Sequence, residues 1–290
     1  MAWCQADYVN ALERHHQALE RYEALGDKPN TAFSLNNIAM QFVEQGDFEH
    51  AASFLDRSLA LYREIGDAWG VSICLSNLGF LAYDMGDSDR AAALLEESLS
   101  IVRETGDASQ IAHVLSNLGD LRKDQGDYAR AEVLLQESLV LCARSGNLRE
   151  RAESLVPLGL VVHYLSGGGD DERATALLKE SLLLRRETMN KVGIAESLEA
   201  LAEVLACRQD CHPSWSEQAA HLLGAAEALR GAIHRPRPST PQVRYDQCVV
   251  AAQSVLGAES FALAWGRGRA MTLEQAVAYA LEAGPPDRTA

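Results

Sequence analysis

Apolar residues recur at helical spacing, and the whole pattern repeats every forty residues. In the second half of one copy they stand three, four or seven positions apart, at Phe48, Ala51, Ala52, Leu55, Leu59 and Tyr62. This spacing places them on one face of an α-helix and differs from the alternation of a β-strand. A period of this length is typical of solenoids and propellers. Because the spacing is helical, propeller blades are excluded and we expect an array of helix pairs.

The repeat extends through most of the chain. The pentapeptide LSNLG occupies residues 75–79 and returns at residues 115–119. Five copies cover residues 31–70, 71–110, 111–150, 151–193 and 194–232, and residues 1–30 hold the second half of a further copy. The fourth copy is lengthened at SGGGDD and the fifth at CRQDCHPSWSEQ.

Gly-Asp turns predict where the helices end. Each copy should contain two helices of about fifteen residues. The glycines that end them are Gly46, Gly86, Gly126 and Gly169 for first helices, and Gly26, Gly66, Gly106 and Gly146 for second helices. Glycine adopts the left-handed conformation that stops a helix. The residues expected to cap the following helices are Asp47, Asp67, Asp87, Asp107, Asp127 and Asp170.

Small and large residues alternate where the two helices of a pair must approach. The small positions are Gly79 and Gly119 in first helices, and Ala51, Ala91, Ala131, Ala174 and Ala219 in second helices. The large positions include Leu35, Leu75, Leu115, Leu155 and Leu198. Over residues 6 to about 232 this pattern resembles the tetratricopeptide repeat, in a forty-residue form. HEAT and armadillo repeats share the period but lack the Gly-Asp turns followed by Ala.

The resemblance implies an all-α fold, namely a right-handed superhelical solenoid of antiparallel helix pairs whose first helices line a concave groove. Removing the core positions from the first helices leaves the candidate partner-binding residues. These are Phe33, Asn37, Met40, Ile73, Asn77, Phe80, His113, Asn117, Asp120, Glu153, Leu160, Tyr164, Glu199 and Glu203. Phe33, Met40, Ile73 and Phe80 form an apolar rim of the kind that marks a partner site.

The asparagine of LSNLG belongs to a row formed by Asn37, Asn77 and Asn117. A carboxamide both donates and accepts hydrogen bonds, so the row suits the backbone of an extended peptide. The same side chains would serve equally to bond a neighbouring helix and fix the stacking angle. Both interpretations remain open from the sequence.

Two features distinguish the later copies. Pro157 replaces the asparagine in the fourth copy, and a proline inside a helix predicts a kink. Glu153, Glu196, Glu199 and Glu203 make this end of the groove acidic, which indicates a solvated helix face or a surface that attracts a basic peptide.

Residues 233–290 are expected to be a separate C-terminal region. RGAIHRPRPSTPQVRY predicts an exposed basic connector. Three short helices should follow, over residues 242–256, 259–267 and 272–283, the last opened by a capping box of Thr272 and Gln275. Their apolar residues are sufficient to cover the open end of the repeat array, which solenoids require.

Composition and motifs argue against several classes of function. The net charge of −15 argues against nucleic acid as a partner, because phosphate binding needs clustered Lys and Arg. No apolar run approaches the roughly 20 residues of a membrane span, which favours a cytoplasmic protein. CRQDCH has two thiols and a histidine but no second ligand pair, so we expect no metal. Catalytic motifs and phosphate loops are missing from the sequence, so we expect neither enzymatic activity nor a cofactor.

The sequence favours a non-enzymatic module that binds a peptide or protein segment. AAHLLGAAEALRGAI and the segment from residue 256 to 281 resemble the end of the repeat arms in bacterial signal-transduction ATPases and LuxR-type regulators. That resemblance implies a sensor or scaffold arm. The helix of residues 6–25 should have its inner face packed on one side only, so we expect it to contact an N-terminal ATPase or regulator module or a second copy. A small-molecule sensor using the groove near Pro157 is the alternative, and a solenoid enzyme is a remote one.

Overall fold

A computed structural model describes the backbone of residues 2–167, 170–207, 212–235, 237 and 239–283, with side chains described outside residues 2–13, 44–45 and 239–241. These residues form fourteen α-helices, and none of the described residues lies in a β-strand. The helices are α1 (Ala2–Leu25), α2 (Lys28–Gln45), α3 (Phe48–Ile65), α4 (Ala68–Asp84), α5 (Ser88–Thr105), α6 (Ala108–Asp124), α7 (Tyr128–Ser145), α8 (Leu148–Leu165), α9 (Asp171–Glu187), α10 (Lys191–Ala206), α11 (Pro213–Ile233), α12 (Ser239–Leu256), α13 (Ala258–Arg269) and α14 (Leu273–Glu282).

The predicted all-α solenoid of paired helices is confirmed. Successive helices pack as pairs, α2 with α3, α4 with α5, α8 with α9 and α10 with α11. The chain divides into two compact units, unit 1 (Met1–Leu121) and unit 2 (Arg122–Ala290). The sequence boundary at residue 232 remains a prediction. In unit 2, α12 and α13 pack against α11, so the C-terminal helices share a core with the last repeat.

The turns follow the predicted chemistry in most copies. Each predicted glycine that the structure describes has a positive φ, for example 72° at Gly66 and 71° at Gly106. The Asp67 carboxylate accepts a hydrogen bond from the backbone N–H of Gly70 at 3.0 Å. The same bond recurs at Asp47, Asp87, Asp107 and Asp127. Each bond satisfies one of the N–H groups that a helix start leaves unpaired.

The lengthened turn of the fourth copy departs from the prediction. Asp170 makes no capping hydrogen bond through its side chain, so the predicted cap there is wrong. Gly167, rather than the predicted glycine two residues later, has a positive φ of 57°; Gly169 lies outside the described residues. Asp171 is instead buried and pairs with His163 Nδ1 at 2.6 Å, because the three inserted residues shift the carboxylates relative to the helix.

Small residues hold the two helices of each pair together. A Cβ added to Gly79 would lie 3.1 Å from Leu95 Cγ and 3.3 Å from the Ala91 carbonyl oxygen. In the first four copies a buried serine follows seven residues after the small position of the second helix. Ser58 Oγ donates to the Ala32 carbonyl at 2.7 Å. Ser98 and Ser181 make the equivalent bonds in their own copies. The pairs are therefore fixed by close backbone approach and by a repeated side-chain bond.

Pro157 leaves α8 in one piece. The helix runs from Leu148 to Leu165 with the proline inside it. Pro157 lacks a backbone N–H and is buried. The helix around it packs against α7, α9 and α10. Tertiary packing thus holds the helix through a residue that costs roughly 3 kcal/mol in an isolated one.

Candidate partner-binding site

The first helices of unit 1 present a continuous stripe of predicted groove residues. Residues three, four or seven apart share one helix face, and this places Phe33, Asn37 and Met40 together on α2 and Ile73, Asn77, Phe80 and Asp84 together on α4. We call these seven residues the unit 1 face. Phe33 is 58% exposed and Phe80 is 36% exposed, while the other five are half-buried. Large apolar side chains therefore stand at the surface among polar groups.

Asn77 joins the two helices of this face. Its Nδ2 donates to Asn36 Oδ1 at 2.9 Å, so the carboxamide of α4 bonds the preceding repeat. Asn36 is buried, and its Oδ1 lies 3.8 Å from the Cys74 sulfur, which also lies 3.2 Å from Ser58 Oγ. Burial raises the pKa of Cys74 to about 11, so this thiol stays protonated and donates. The structural interpretation of the asparagine therefore holds at Asn77.

The other two asparagines of the row are engaged differently. Asn37 is half-buried and forms no hydrogen bond with any residue that the structure describes. Asn117 Nδ2 lies 3.2 Å from Nε2 of His113, one turn earlier on α6. His113 in turn meets the edge of the Trp69 ring, with the ring centroids 6.2 Å apart. Asp120 lies one turn beyond Asn117 and is half-buried. Of the three asparagines in the row, Asn37 is therefore the one whose carboxamide makes no hydrogen bond to the described residues and is available to a ligand.

Unit 2 differs from the prediction at several groove residues. Leu160 and Glu203 are buried, 3% and 6% exposed, so neither lies on an open surface. Tyr164 donates its hydroxyl proton to Glu203 Oε1 and stacks on Tyr128 with the ring centroids 5.1 Å apart. Burial and the Glu203 carboxylate raise the pKa of Tyr164 well above its ordinary value.

Glu199 is the centre of an ion-pair cluster instead of a free groove carboxylate. Arg230 donates to both of its oxygens, at 2.7 and 2.9 Å. Arg237 donates to Glu199 Oε1 at 2.7 Å and to Glu227 at 2.9 Å. Both arginine side chains are almost completely buried, 6% and 5% exposed. Glu199 raises the pKa of Arg230 against the opposing effect of burial.

The remaining acidic residues of this region are also paired. Glu153 pairs with Arg149 one turn earlier at 3.0 Å, and Glu196 pairs with the buried Arg185 at 2.9 Å. The acidic end of the predicted groove is therefore neutralised by the chain itself.

The sequence predicted an exposed connector after α11; His234 and Arg235 are exposed, but the Arg237 side chain is buried. Arg237 packs its guanidinium 3.6 Å from the Tyr245 ring centroid, and Tyr245 accepts a hydrogen bond from Trp265 Nε1 at 3.3 Å. At the start of α12, Arg244 pairs with Asp124 and lies 4.0 Å from Glu203. The sequence analysis missed these arginines because nothing local indicates which carboxylates they meet.

A pocket of about 430 Å³ opens beside this pair. Its walls are Lys123, Asp124, Tyr128, Tyr164, Val243, Arg244 and Gln247. Lys123 Nζ lies 3.1 Å from Asp124 Oδ1, and both side chains are buried. The pocket combines an aromatic wall with groups of both charges, and its volume lies within the usual range for small-molecule sites.

No helix among the described residues is both long and apolar enough to cross a membrane. Cys207, the first residue of the CRQDCH segment, is exposed, whereas residues 208–211 with the second thiol lie outside the described part of the chain.

Comparison with known proteins gives a family and a fold. Residues 1–64 and 71–144 match the family model of the tetratricopeptide repeat. No curated protein matches the sequence. Among solved structures, BtubC from P. vanneervenii has a TM-score of 0.59 at 20% identity, with 80% of this chain and 94% of that chain covered.

Two further solved structures have similar folds. A signal-transduction ATPase with a tetratricopeptide repeat sensor from Pyrococcus horikoshii has a TM-score of 0.57 at 17% identity over 89% of this chain, which spans only 38% of that protein. A Rap protein in complex with competence and sporulation factor has a TM-score of 0.58 at 15% identity, with 89% of this chain and 73% of that chain covered. At these identities the likeness extends to the fold alone.

Proposed function

We propose that this chain, which is a tetratricopeptide repeat protein, is a non-enzymatic module that binds an extended peptide or protein segment on the unit 1 face. The observation that carries the proposal is the exposure of Phe33 and Phe80 on the same face as Asn37, which is half-buried and has no hydrogen-bond partner among the described residues. Exposed aromatic groups provide apolar area for a partner, and a free carboxamide provides a donor and an acceptor for its backbone.

The unit 1 face suits a segment better than a compact ligand. It extends over two successive first helices, α2 and α4, which are joined by the bond from Asn77 to Asn36. Asn77 uses one N–H in that bond and retains its carbonyl oxygen as an acceptor. An extended peptide that crosses both helices would meet Asn37 and Asn77 in turn, and its side chains would contact the neighbouring phenylalanines.

The wider role that we propose is the sensor or scaffold arm of a bacterial signalling or transcription regulator, acting in the cytoplasm. The similar folds of a repeat sensor in a signal-transduction ATPase and of a Rap protein in complex with competence and sporulation factor support this role. An N-terminal regulator module, or a second copy of the chain, would contact α1. On that helix Leu19 already packs against Leu35 and Ile38 of α2.

Peptide display tests the binding surface. Random peptides are selected on the full chain, and the enriched peptides are titrated against Phe33→Ala/Phe80→Ala by calorimetry. We expect the double variant to weaken binding by about tenfold or more, since exposed aromatic groups are frequent hot spots. Val133→Ala/Val140→Ala is the matched control, because these apolar residues are exposed on the second helix α7. Equal losses in the two variants would reject the unit 1 face.

A small-molecule sensor is the second candidate, and the pocket beside Tyr128 and Tyr164 favours it. Its stacked rings and the Lys123–Asp124–Arg244 cluster suit a planar ligand with polar substituents. Screening a metabolite panel by thermal shift tests this function. A ligand of this pocket should raise the melting temperature of the wild type and leave that of Tyr128→Ala unchanged.

A further inference from the structure

Asp84 is a half-buried carboxylate that pairs with no cation in the part of the chain that the structure describes. It is the last residue of α4 and lies one turn after Phe80 on the unit 1 face. Among the residues that the structure describes, none forms an ion pair or hydrogen bond with it. Burial raises its pKa above the ordinary value. The negative end of the α4 dipole is an unfavourable position for a carboxylate. Asp84 therefore lowers the stability of the folded chain when no partner is bound.

The next copy shows how the same position is satisfied. Asp124 stands forty residues after Asp84 and is likewise the last residue of its helix, α6. Its carboxylate pairs with Arg244 from α12, and Lys123 Nζ lies 3.1 Å from the same oxygen. In the second copy the residue equivalent to Lys123 is Tyr83. The position therefore accepts an arginine in one copy, whereas in the other copy none of the described residues supplies a cation.

The surroundings of Asp84 favour arginine over other cations. A guanidinium pairs with a carboxylate through two parallel N–H donors and also stacks on aromatic rings. Phe80 provides an exposed ring one turn away. Arg237 combines the same two contacts in unit 2, where it pairs with Glu199 and lies over the Tyr245 ring.

The net negative charge of unit 1 also favours a positively charged partner. Residues 1–121 contain 19 acidic and 7 basic residues. Such an excess attracts a positively charged segment and accelerates its association at low ionic strength.

We propose that the segment bound on the unit 1 face carries an arginine whose guanidinium pairs with Asp84, as Arg244 pairs with Asp124 within this chain. The inference rests on the proposed function and specifies the chemistry of its partner. The segment is basic, with the arginine placed next to a large apolar residue that contacts Phe80. Its backbone passes Asn37 and Asn77.

Charge reversal in the display selection tests this proposal. Random peptides are selected in parallel on the full wild-type chain, on Asp84→Arg and on Asp56→Arg. Asp56 is an exposed acidic residue of α3 in the same unit, so it controls for the change in net charge. We expect the wild type and Asp56→Arg to enrich peptides with arginine at a constant distance from a large apolar residue. Asp84→Arg should enrich Asp or Glu at that place.

Calorimetry then distinguishes the two levels of the proposal. For an enriched peptide we expect Asp84→Asn to weaken binding by about tenfold and Asp56→Asn to leave it unchanged. Loss of binding in Phe33→Ala/Phe80→Ala with no effect of Asp84→Asn would overturn the arginine pairing alone. Peptides that bind independently of Phe33 and Phe80, or a selection that enriches none, would overturn the proposed function as well. Circular dichroism of each variant confirms that a loss does not reflect unfolding.

Discussion

Asp84 in unit 1 and Asp124 in unit 2 occupy the same place in successive copies, yet only Asp124 has a cation beside it among the described residues. The difference extends to the whole of each first-helix surface. Unit 2 pairs Glu196, Glu199 and Glu203 with its own arginines or with Tyr164, whereas unit 1 leaves Asn37 and Asp84 unpartnered within the part of the chain that the structure describes. Net charge follows the same division, since residues 122–290 contain 22 acidic and 19 basic residues.

The comparison indicates which part of a repeat array remains available for a partner. In unit 2 the connector and α12 return to the repeats and satisfy the polar groups there, which stabilises that unit and removes them from binding. In unit 1 no such segment covers the corresponding groups among the described residues. Uncompensated polar and apolar groups at a surface are typical of a binding site.

The largest effect is expected for Glu199→Ala. This change leaves Arg230 and Arg237 buried without their shared carboxylate, so the free energy of unfolding should fall by about 3 kcal/mol or more. Urea denaturation followed by circular dichroism measures it. Glu23→Ala is the control, because it breaks the exposed pair with Arg57 and should cost less than about 1 kcal/mol. A similar decrease in the free energy of unfolding in the two variants would show that burial does not determine how much these ion pairs stabilise the chain.

Arg244→Ala should remove the arginine that pairs with Asp124, while Lys123 Nζ stays beside the same carboxylate. We expect the free energy of unfolding to fall by about 1–3 kcal/mol, because a buried carboxylate loses a charged hydrogen-bond donor. Amide exchange at the start of α12 should become faster in this variant, as measured by mass spectrometry. Arg267→Ala is the control, since its side chain is 70% exposed and 4.0 Å from Glu217. Unchanged exchange in α12 would contradict the role of the pair.

Asp84→Asn should raise the melting temperature at neutral pH in the absence of a partner. Burial raises the pKa of Asp84 in the folded chain above the ordinary value of 3.8, so the folded state binds this proton more tightly than the unfolded state. The contribution of Asp84 to stability is therefore present below the unfolded pKa and is lost as pH rises through the folded pKa. The advantage of this variant over the wild type should shrink as pH falls through this window, as thermal denaturation at a series of pH values would measure.

The smallest effect concerns the turns. In unit 1 the described turn positions with positive φ are glycines, whereas Met189 in unit 2 has a φ of 55° and is 72% exposed. A side chain in this conformation is strained, so Met189→Gly should stabilise the chain by about 0.5–1 kcal/mol. The reverse change, Gly106→Ala, should destabilise it by a similar amount. Thermal denaturation of the two variants checks both signs.

Local physical chemistry allowed much of the fold to be predicted. Glycine at a left-handed position and Asp three residues before a helical N–H act over a few residues, so the turns at Gly66 and Asp67 follow from sequence alone. The capping box of Thr272 and Gln275 is confirmed for the same reason. The prediction was wrong at Asp170, where three inserted residues changed the turn.

The sequence by itself determined the helical period, the pairing of helices and the positions of Phe33, Asn37 and Phe80 on their helix faces, because these depend on spacings within one or two turns. Tertiary structure alone decided which polar groups remain available. Arg244 meets Asp124 across 120 residues of chain, and Arg237 meets Glu199 across 38. No local pattern specifies such a pairing, since it arises only when distant segments fold onto one surface and their charges must be satisfied together.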